Sequence, residues 1–179
     1  MNKLLADEKF DFISENDKEF IVAFNNEMLR AGYMNNGIQP YVVFGKYKIE
    51  YCKARLKTKK YVARIYFRDK EIVLRLYFSN INTCRDYIEK APDFIKKPFI
   101  NNHSKCKGCD ANGGGMISNT KCRYKKSYII DSETYIKCAE QAFMFENPAA
   151  CNAIEYVNLI TAFYPDKSRN EVILQLPQI

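Results

Sequence analysis

Two segments with alternating apolar residues constrain the fold of this 179-residue chain more than any other feature. Residues 61–68 and 72–78 each place apolar side chains on alternate positions, as half-buried β-strands do. The link at 69–70 has the length of a tight hairpin loop. The sequence therefore predicts an antiparallel hairpin with matched apolar sides, in which Ile65 faces Leu74 and Phe67 faces Ile72.

Two further strand-like regions accompany this hairpin. Residues 41–51 alternate and predict a third strand, which follows a turn at 35–40 marked by Asn-Asn-Gly and Pro. Residues 124–130 and 135–145 predict a second hairpin around the polar residues 131–133.

Helical spacing predicts one main helix near the start of the chain, over residues 15–31. Ser14, followed three residues later by Asp17, resembles a capping box, and Gly32 is a typical C-terminal stop. The apolar residues between these ends recur on one face: Phe20, Phe24, Met28 and Ala31.

A second main helix is expected over 148–163, because Asn147-Pro148 supplies a cap and a proline at the first helical position. Shorter helical segments are expected at 83–90 and 93–97. The residues expected on the inner face of the second main helix are Ile154, Val157 and Ile160 or Thr161. The elements together predict a single α+β domain over 1–179, with a three-stranded antiparallel sheet, a C-terminal hairpin and two main helices packed on one side.

Seven cysteines in a chain of this size indicate metal rather than disulfides. The hydrophobic fraction of 47%, with 13 Tyr and 12 Phe, is ample for a core that needs no covalent staples. The N-terminal segment has acids where a signal peptide requires an apolar run, and no stretch reaches about 18 consecutive apolar residues. We therefore expect a soluble cytoplasmic protein without a membrane partner, whose cysteines are metal ligands, catalytic thiols or buried apolar residues.

Four cysteines have a spacing that predicts one structural zinc ion: Cys106, Cys109, Cys122 and Cys138. The first two are separated by Lys-Gly, which is the spacing of a zinc knuckle. Four thiolates complete a tetrahedral coordination, and the ion would order the glycine-rich loop at 101–123. The sequence thus predicts a Cys-rich metal-binding subregion at 101–145, in which zinc staples the second hairpin.

The identity of the fourth ligand depends on that hairpin. If residues 131–133 form a tight turn, Cys138 pairs near Lys126, roughly 13 Å along the strand from Cys122 at about 3.3 Å per residue. The paired part of this hairpin must then end before it reaches Cys122, so that the thiolates of Cys122 and Cys138 can both reach one ion. The substitute ligands, if it does not, are His103 and Cys151.

Two other hypotheses for the cysteines stay open, a redox pair and unliganded thiols. A redox pair usually opens a helix after a strand, whereas Cys106 and Cys109 lie in a glycine-rich loop. Catalytic zinc requires an open fourth position, which a set of four cysteines does not leave. Cys52 and Cys84 are interpreted as buried thiols.

The C-terminal part of the chain resembles uncharacterised small bacterial proteins with a Cys-rich knuckle before a hairpin. The residues that carry this resemblance are Cys106, Cys122, Arg123, Tyr128, Tyr135, Cys138, Phe143, Phe145, Asn147-Pro148 and Tyr156. The resemblance implies the cysteine constellation and no particular activity.

The net charge of +7 is concentrated in the middle of the chain. Residues 46–75 hold eleven Lys and Arg residues against three acids, and residues 96–126 hold eight against Asp110 alone. An anionic ligand or a nucleic acid is therefore the expected kind of partner.

The register of the central hairpin places part of this positive charge on one face of the sheet. It places Arg64 opposite Arg75, with Tyr66 and Tyr77 nearby on the same face, and opposed like charges are destabilising unless something anionic lies between them. Arginine beside tyrosine on an exposed sheet can bind a phosphate or a single-stranded nucleic acid. The alternative is that Glu50 neutralises Arg64 while the other arginines extend into water.

No catalytic signature accompanies these features, and the only histidine is His103. Nucleophile-elbow, metalloprotease, phosphate-loop and dinucleotide patterns do not occur. The leading hypothesis is a non-catalytic binding or regulatory module with structural zinc. The alternatives are a nucleic-acid-binding protein that uses the basic sheet and an enzyme that acts on an anionic small molecule.

Overall fold

The computed structural model describes residues 5–53, 60–101, 126–137 and 142–165. The helices in this part of the chain are α1 (Glu15–Arg30), α2 (Arg85–Lys90), α3 (Asp93–Ile100) and α4 (Ala153–Phe163). The strands are β1 (Tyr33–Pro40), β2 (Tyr47–Lys53), β3 (Tyr61–Phe67), β4 (Ile72–Tyr77), β5 (Lys126–Ile130), β6 (Glu133–Lys137) and β7 (Ala142–Glu146). Short 3-10 turns lie at Glu8–Phe10, Ile81–Cys84 and Ala150–Asn152.

Five of the strands form one antiparallel sheet in the order β1-β2-β3-β4-β7. Strands β5 and β6 form a separate hairpin. The predicted α+β class is confirmed. The predicted size of the sheet is wrong, because β1 and β7 each add an edge strand to the three that the sequence indicates.

The central hairpin has the predicted register. Ile65 pairs with Leu74, and Phe67 pairs with Ile72. The Arg68 N–H donates to the Glu71 carbonyl at 2.9 Å and closes the turn around residues 69–70. The side-chain alternation and the loop length were therefore sufficient to fix this pairing.

Strand β1 occupies the segment for which the sequence predicts a turn. A bulge between Asn35 and Ile38 accommodates Gly37, whose φ is +72° and whose N–H donates to the Asn35 Oδ1 atom at 2.8 Å. Pro40 is the last residue of an edge strand, where its missing N–H is tolerated. The strand predicted over 41–51 consequently begins only at Tyr47.

The predicted single strand over 135–145 is two strands. Strand β6 ends at Lys137, and β7 begins at Ala142 and pairs with β4 in the main sheet. Phe143 and Phe145 are opposite Leu76 and Leu74, so the apolar alternation of β7 continues that of the central hairpin. The phenylalanines are thereby buried in the main core rather than in the small hairpin.

Helix α1 is built as the sequence predicts. The Ser14 side chain accepts the Asp17 N–H at 3.2 Å, and Gly32, with φ +83°, follows the C-terminus. Phe20, Phe24 and Met28 are fully buried. Burial of each such side chain contributes about 1.5–3 kcal/mol, so the apolar stripe fixes the position of the helix.

Helix α4 starts later than predicted. Asn147 has a left-handed φ of +47° and ends strand β7 instead of capping a helix, and a 3-10 turn precedes Ala153. Ile154 is exposed, contrary to the prediction, whereas Tyr156, Val157 and Ile160 are buried. The later start rotates the buried stripe away from Ile154.

Three helices cover the same face of the sheet, as aromatic contacts show. The ring centroids of Phe24 in α1 and Tyr51 in β2 are 5.3 Å apart. Those of Tyr156 in α4 and Phe145 in β7 are 5.1 Å apart, and those of Phe99 in α3 and Phe143 in β7 are 4.1 Å apart. The opposite face of the sheet carries the charged residues.

Candidate anion-binding face and a neighbouring cleft

The face of the sheet opposite the helices brings together the two arginines that the hairpin register predicts. Arg64 of β3 pairs directly with Arg75 of β4, and Glu50 of β2 is the other cross-strand neighbour of Arg64. This surface is called the basic face below, and its residues are Lys48, Glu50, Arg64, Tyr66, Arg75 and Tyr77.

Glu50 neutralises Arg64, which is the alternative that the sequence left open. Its carboxylate is nearly inaccessible, with 5% of the side chain exposed. The Oε1 atom lies 2.7 Å from Arg64 Nε and 2.9 Å from Lys48 Nζ. One carboxylate shared by two cations reduces the repulsion between the opposed arginines and leaves this trio with a net positive charge.

Arg64 is also held by aromatic rings. Its guanidinium lies 5.0 Å from the ring centroids of both Tyr61 and Tyr77, and its Nη1 atom donates to the Tyr77 hydroxyl at 2.9 Å. Burial works against the charged form of Arg64, but Tyr77, Tyr66 and Glu50 outweigh it and hold the guanidinium pKa above its usual value. Arg64 is therefore a fixed positive charge.

Arg75 has a similar aromatic environment. Its guanidinium lies 5.1 Å from the ring centroid of Phe44, 5.8 Å from that of Tyr66 and 5.9 Å from that of Tyr77. Burial, followed by the hydrogen bond with the Tyr66 hydroxyl at 3.4 Å, raises the pKa of Tyr77. The Tyr77 hydroxyl consequently stays protonated between the two arginines at neutral pH.

The loop between β1 and β2 folds over part of the basic face. The rings of Tyr41 and Phe44 lie 5.5 and 5.6 Å from that of Tyr66, which is 1% exposed. Gly45 is required at this crossing, because a Cβ atom there would lie 2.4 Å from the Phe67 carbonyl oxygen. The loop leaves apolar side chains in solvent at its tip, with Val42 93% exposed.

Among the described residues, ion pairs hold four of the eleven bases that the sequence places in residues 46–75. Lys46 lies 2.6 Å from Asp69, and Arg68 lies 2.7 Å from Glu71. With Glu50, all three acids of this stretch contact bases of the same stretch. These pairs fix the positions of the acids but leave the net positive charge of the stretch unchanged.

Two clefts lie beside strand β7 and meet at Lys137. The smaller, of about 300 Å³, is lined by polar side chains that include Asn80, Asn82 and Ser127. The larger, of about 500 Å³, lies between α3, β7 and the start of α4. Neither Arg64 nor Arg75 lines either of these two clefts.

Lys137 is the charged residue that the sequence analysis missed. Its Nζ atom lies 4.2 Å from the ring centroid of Phe143, and burial, together with the positive charge of Arg75, lowers the pKa of Lys137 to about 8. The alternation of strand β6 gives a signal, since Tyr135 and Lys137 share the inward side while Thr134 and Ile136 are exposed. That alternation is too short to predict a cleft.

The residues predicted to bind zinc lie outside the described part of the chain: Cys106, Cys109, Cys122, Cys138 and His103. Cys151 is exposed in the 3-10 turn before α4. Within 5–53, 60–101, 126–137 and 142–165, no three His, Cys, Asp or Glu residues are grouped so that they could hold a metal ion. The zinc site stays a prediction.

The structure also locates Cys52 and Cys84, the two cysteines that are not predicted to bind zinc. Cys52 is buried, as expected. Cys84 is half-buried, and its thiol donates to the Ala162 carbonyl at 3.3 Å. Burial raises the pKa of the Cys84 thiol, although a hydrogen bond with Thr83 opposes the shift, so the thiol is not activated as a nucleophile.

Comparisons with known proteins identify no family for this chain. No family model, no curated protein and no solved structure matches this chain. Among the helices that the structure describes, none has the length and apolar character needed to cross a membrane. Function must therefore be argued from the chain itself.

Proposed function

We propose that this chain is a non-catalytic cytoplasmic binding module, ordered by a structural zinc ion, that holds single-stranded nucleic acid on its basic face. The observation that carries the binding proposal is the pair of opposed arginines, each packed against aromatic rings, on the side of the sheet that the helices leave uncovered. Single-stranded nucleic acid offers phosphates to arginine and bases that stack on aromatic side chains.

The accessible surroundings of the arginines favour this ligand over a small metabolite. Phe44 and Met144, which flank Arg75, are 45% and 49% exposed. These side chains extend the surface without enclosing it, whereas an enzyme would require a concave site at the arginines, and neither arginine lines one of the two clefts. An open surface with aromatic and cationic side chains is suited to a flexible polyanion.

Fluorescence anisotropy with a labelled oligothymidine tests the binding proposal. Two phosphate contacts predict an affinity that falls by about sevenfold between about 50 and about 200 mM salt. Arg75→Met should weaken binding and flatten the salt dependence, while the exposed loop variant Lys70→Met is the matched control. No binding at low salt, or binding that does not weaken as salt rises, contradicts the proposal.

The zinc part of the proposal rests on the sequence spacing of Cys106, Cys109, Cys122 and Cys138 and is tested separately. Protein purified under reducing conditions should contain about one zinc per chain, and chelation should unfold the C-terminal half. Cys106→Ser should lose the metal. Comparison of Cys138→Ser with Cys151→Ser identifies the fourth ligand, and protein free of metal would refute the site.

A further inference from the structure

The loop between β1 and β2, residues 41–46, presents apolar side chains beside the basic face. Val42 and Val43 are 93% and 68% exposed, and Phe44 is 45% exposed. Single exposed apolar side chains are ordinary on protein surfaces, but three in succession have a solvation cost that a contact surface explains. Phe44 has the only aromatic ring of the three, and this ring contacts the basic face.

Hydrogen bonds hold this loop in place at its ends and at its middle. The Tyr41 N–H donates to the Lys46 carbonyl at 2.9 Å and closes the loop. The Lys46 N–H donates to the Phe67 carbonyl at 2.7 Å, and Arg68 Nε donates to the Phe44 carbonyl at 3.3 Å, so the loop is tied to the end of β3. A loop that is already ordered loses little conformational entropy when a ligand binds.

The ring of Phe44 is packed on one part and open on another. Its centroid lies 5.1 Å from the Arg75 guanidinium and 5.6 Å from the ring centroid of Tyr66. The ring of Tyr41 lies nearly parallel to it, at 6.4 Å and an interplanar angle of 21°. These contacts fix the orientation of the Phe44 ring, and the exposed part can accept a further flat group by stacking.

Positive charge lies beside both rings of the loop. Arg75 lies against Phe44, and the Lys48 Nζ atom lies 4.6 Å from the ring centroid of Tyr41. A purely apolar partner would desolvate these charges at a cost, whereas an unpaired nucleotide has both a flat base and a phosphate. In a duplex the base faces are stacked inside the helix, so the phosphates alone are offered to this surface.

We propose that Phe44 stacks against an unpaired base of the bound strand, and that the loop 41–46 thereby makes the basic face select single strands over duplexes. This inference rests on the proposed function and adds the element that discriminates between nucleic acids. The arginines attract phosphates, which every nucleic acid has. Phe44 contacts a base face, which only an unpaired nucleotide exposes.

Fluorescence anisotropy with oligothymidine and with an abasic strand of the same length tests the stacking contact. The wild type should bind oligothymidine at least about fivefold more tightly than the abasic strand. Phe44→Leu keeps an apolar side chain against Arg75 but has no ring, so it should lower the affinity for oligothymidine by about fivefold and remove this preference. Its salt dependence should stay unchanged, because the phosphate contacts remain. Val42→Ala, at the exposed tip of the same loop, is the matched control and should bind as the wild type does.

A duplex of the oligothymidine with oligodeoxyadenosine tests the selectivity. The wild type should prefer the single strand, and Phe44→Leu should reduce that preference by about the same factor by which it weakens oligothymidine.

A spectroscopic measurement reports the contact directly, because the chain has no tryptophan. Phe44→Trp introduces a single indole at the proposed stacking position. Its fluorescence should be quenched by oligothymidine and unaffected by the abasic strand. Tyr87→Trp, on helix α2, places the indole away from the loop and should show no quenching by either strand.

The outcomes distinguish this inference from the function on which it rests. Wild-type protein that binds no strand at low salt overturns both. Binding that Phe44→Leu leaves unchanged, or a Phe44→Trp signal that oligothymidine does not quench, overturns only the role of Phe44. Equal losses of affinity in Val42→Ala and Phe44→Leu would assign the contact to the apolar tip of the loop and also overturn stacking.

Discussion

Each face of the five-stranded sheet has inaccessible side chains at its centre, but different forces hold them in place. On the helix-covered face, Ile49, Ile65 and Leu74 are fully buried among apolar neighbours. On the basic face, Glu50 and Tyr66 are almost as inaccessible, at 4% and 1% exposure. The first face depends on the removal of apolar area from water, and the second depends on charge pairing and on arginine against aromatic rings.

Because of this difference, we connect the stability of the fold with the helix-covered face and the proposed binding with the basic face. Apolar packing is not directional and tolerates volume-conserving changes, so the helix-covered face holds the fold together. A buried ion pair contributes little net stability compared with apolar side chains of the same volume, but it is costly to break. We therefore expect mutations on the two faces to have different signatures.

The largest effect is expected on the helix-covered face. Ile65→Ala removes a fully buried side chain at the centre of the sheet and should lower the free energy of unfolding by about 2–5 kcal/mol. Urea denaturation measures this decrease in the free energy of unfolding. Met144→Ala, on the exposed side of β7, is the control and should stay within about 0.5 kcal/mol. Equal losses in the two variants would remove the contrast between the faces.

The next effect concerns the carboxylate on the basic face. Glu50→Ala leaves Arg64 and Lys48 half-buried without their shared partner, and should cost about 3 kcal/mol in urea denaturation. Lys46→Ala, which breaks the exposed pair with Asp69, should cost about 0.5 kcal/mol or less. The double variant Glu50→Gln/Arg64→Gln should recover part of the Glu50 loss; no recovery would mean that the pair is not the cause.

The pH dependence of stability should reveal the lysine packed on Phe143. The pKa of Lys137 is lowered to about 8 in the folded protein, so between about pH 8 and the usual lysine value the unfolded chain binds more protons. The contribution of this lysine to stability should therefore rise with pH across this window, by about 1–2 kcal/mol after allowance for solvent screening, while tyrosines whose pKa is raised by burial, such as Tyr77, oppose it towards about pH 10. The difference in thermal denaturation between the wild type and Lys137→Met isolates this contribution, and a difference that does not change with pH would contradict it.

The smallest effect is expected for a single hydroxyl group on the basic face. Tyr77→Phe keeps the ring against Arg64 and Arg75 but removes the acceptor of the 2.9 Å hydrogen bond, which should cost about 1 kcal/mol. Tyr135→Phe removes a hydroxyl that contacts Glu133 at the surface of the small hairpin and should cost less. Chemical denaturation of the two variants side by side measures the difference, and equal losses would mean that the Tyr77 hydroxyl contributes no more than an exposed one.

Elements with a strong local pattern were predictable from sequence. The Ser14 cap and the buried Phe24 stripe define α1, and the pairing of Arg64 with Arg75 follows from the loop length of the central hairpin. Strand β1 was missed because Gly37 and Pro40, which ordinarily mark turns, are accommodated by a bulge and an edge position. Local composition cannot distinguish such an edge strand from a loop.

The candidate sites divide in the same way. The opposition of Arg64 and Arg75 needed only the register of neighbouring strands, so the sequence revealed it. The neutralising position of Glu50 was one of two open alternatives, because it depends on how β2 pairs with β3. The cleft at Lys137 was not foreseeable, since its walls come from segments far apart in the chain.

The sequence by itself determined the α+β class, helix α1 and the register of the β3–β4 hairpin, because side-chain period and turn length act over a few residues. Only the tertiary structure decided that β7 leaves the C-terminal hairpin and pairs with β4. That choice is set by burial of Phe143 and Phe145 in the common core, a long-range gain with no local signal. It also creates the cleft in which Lys137 lies.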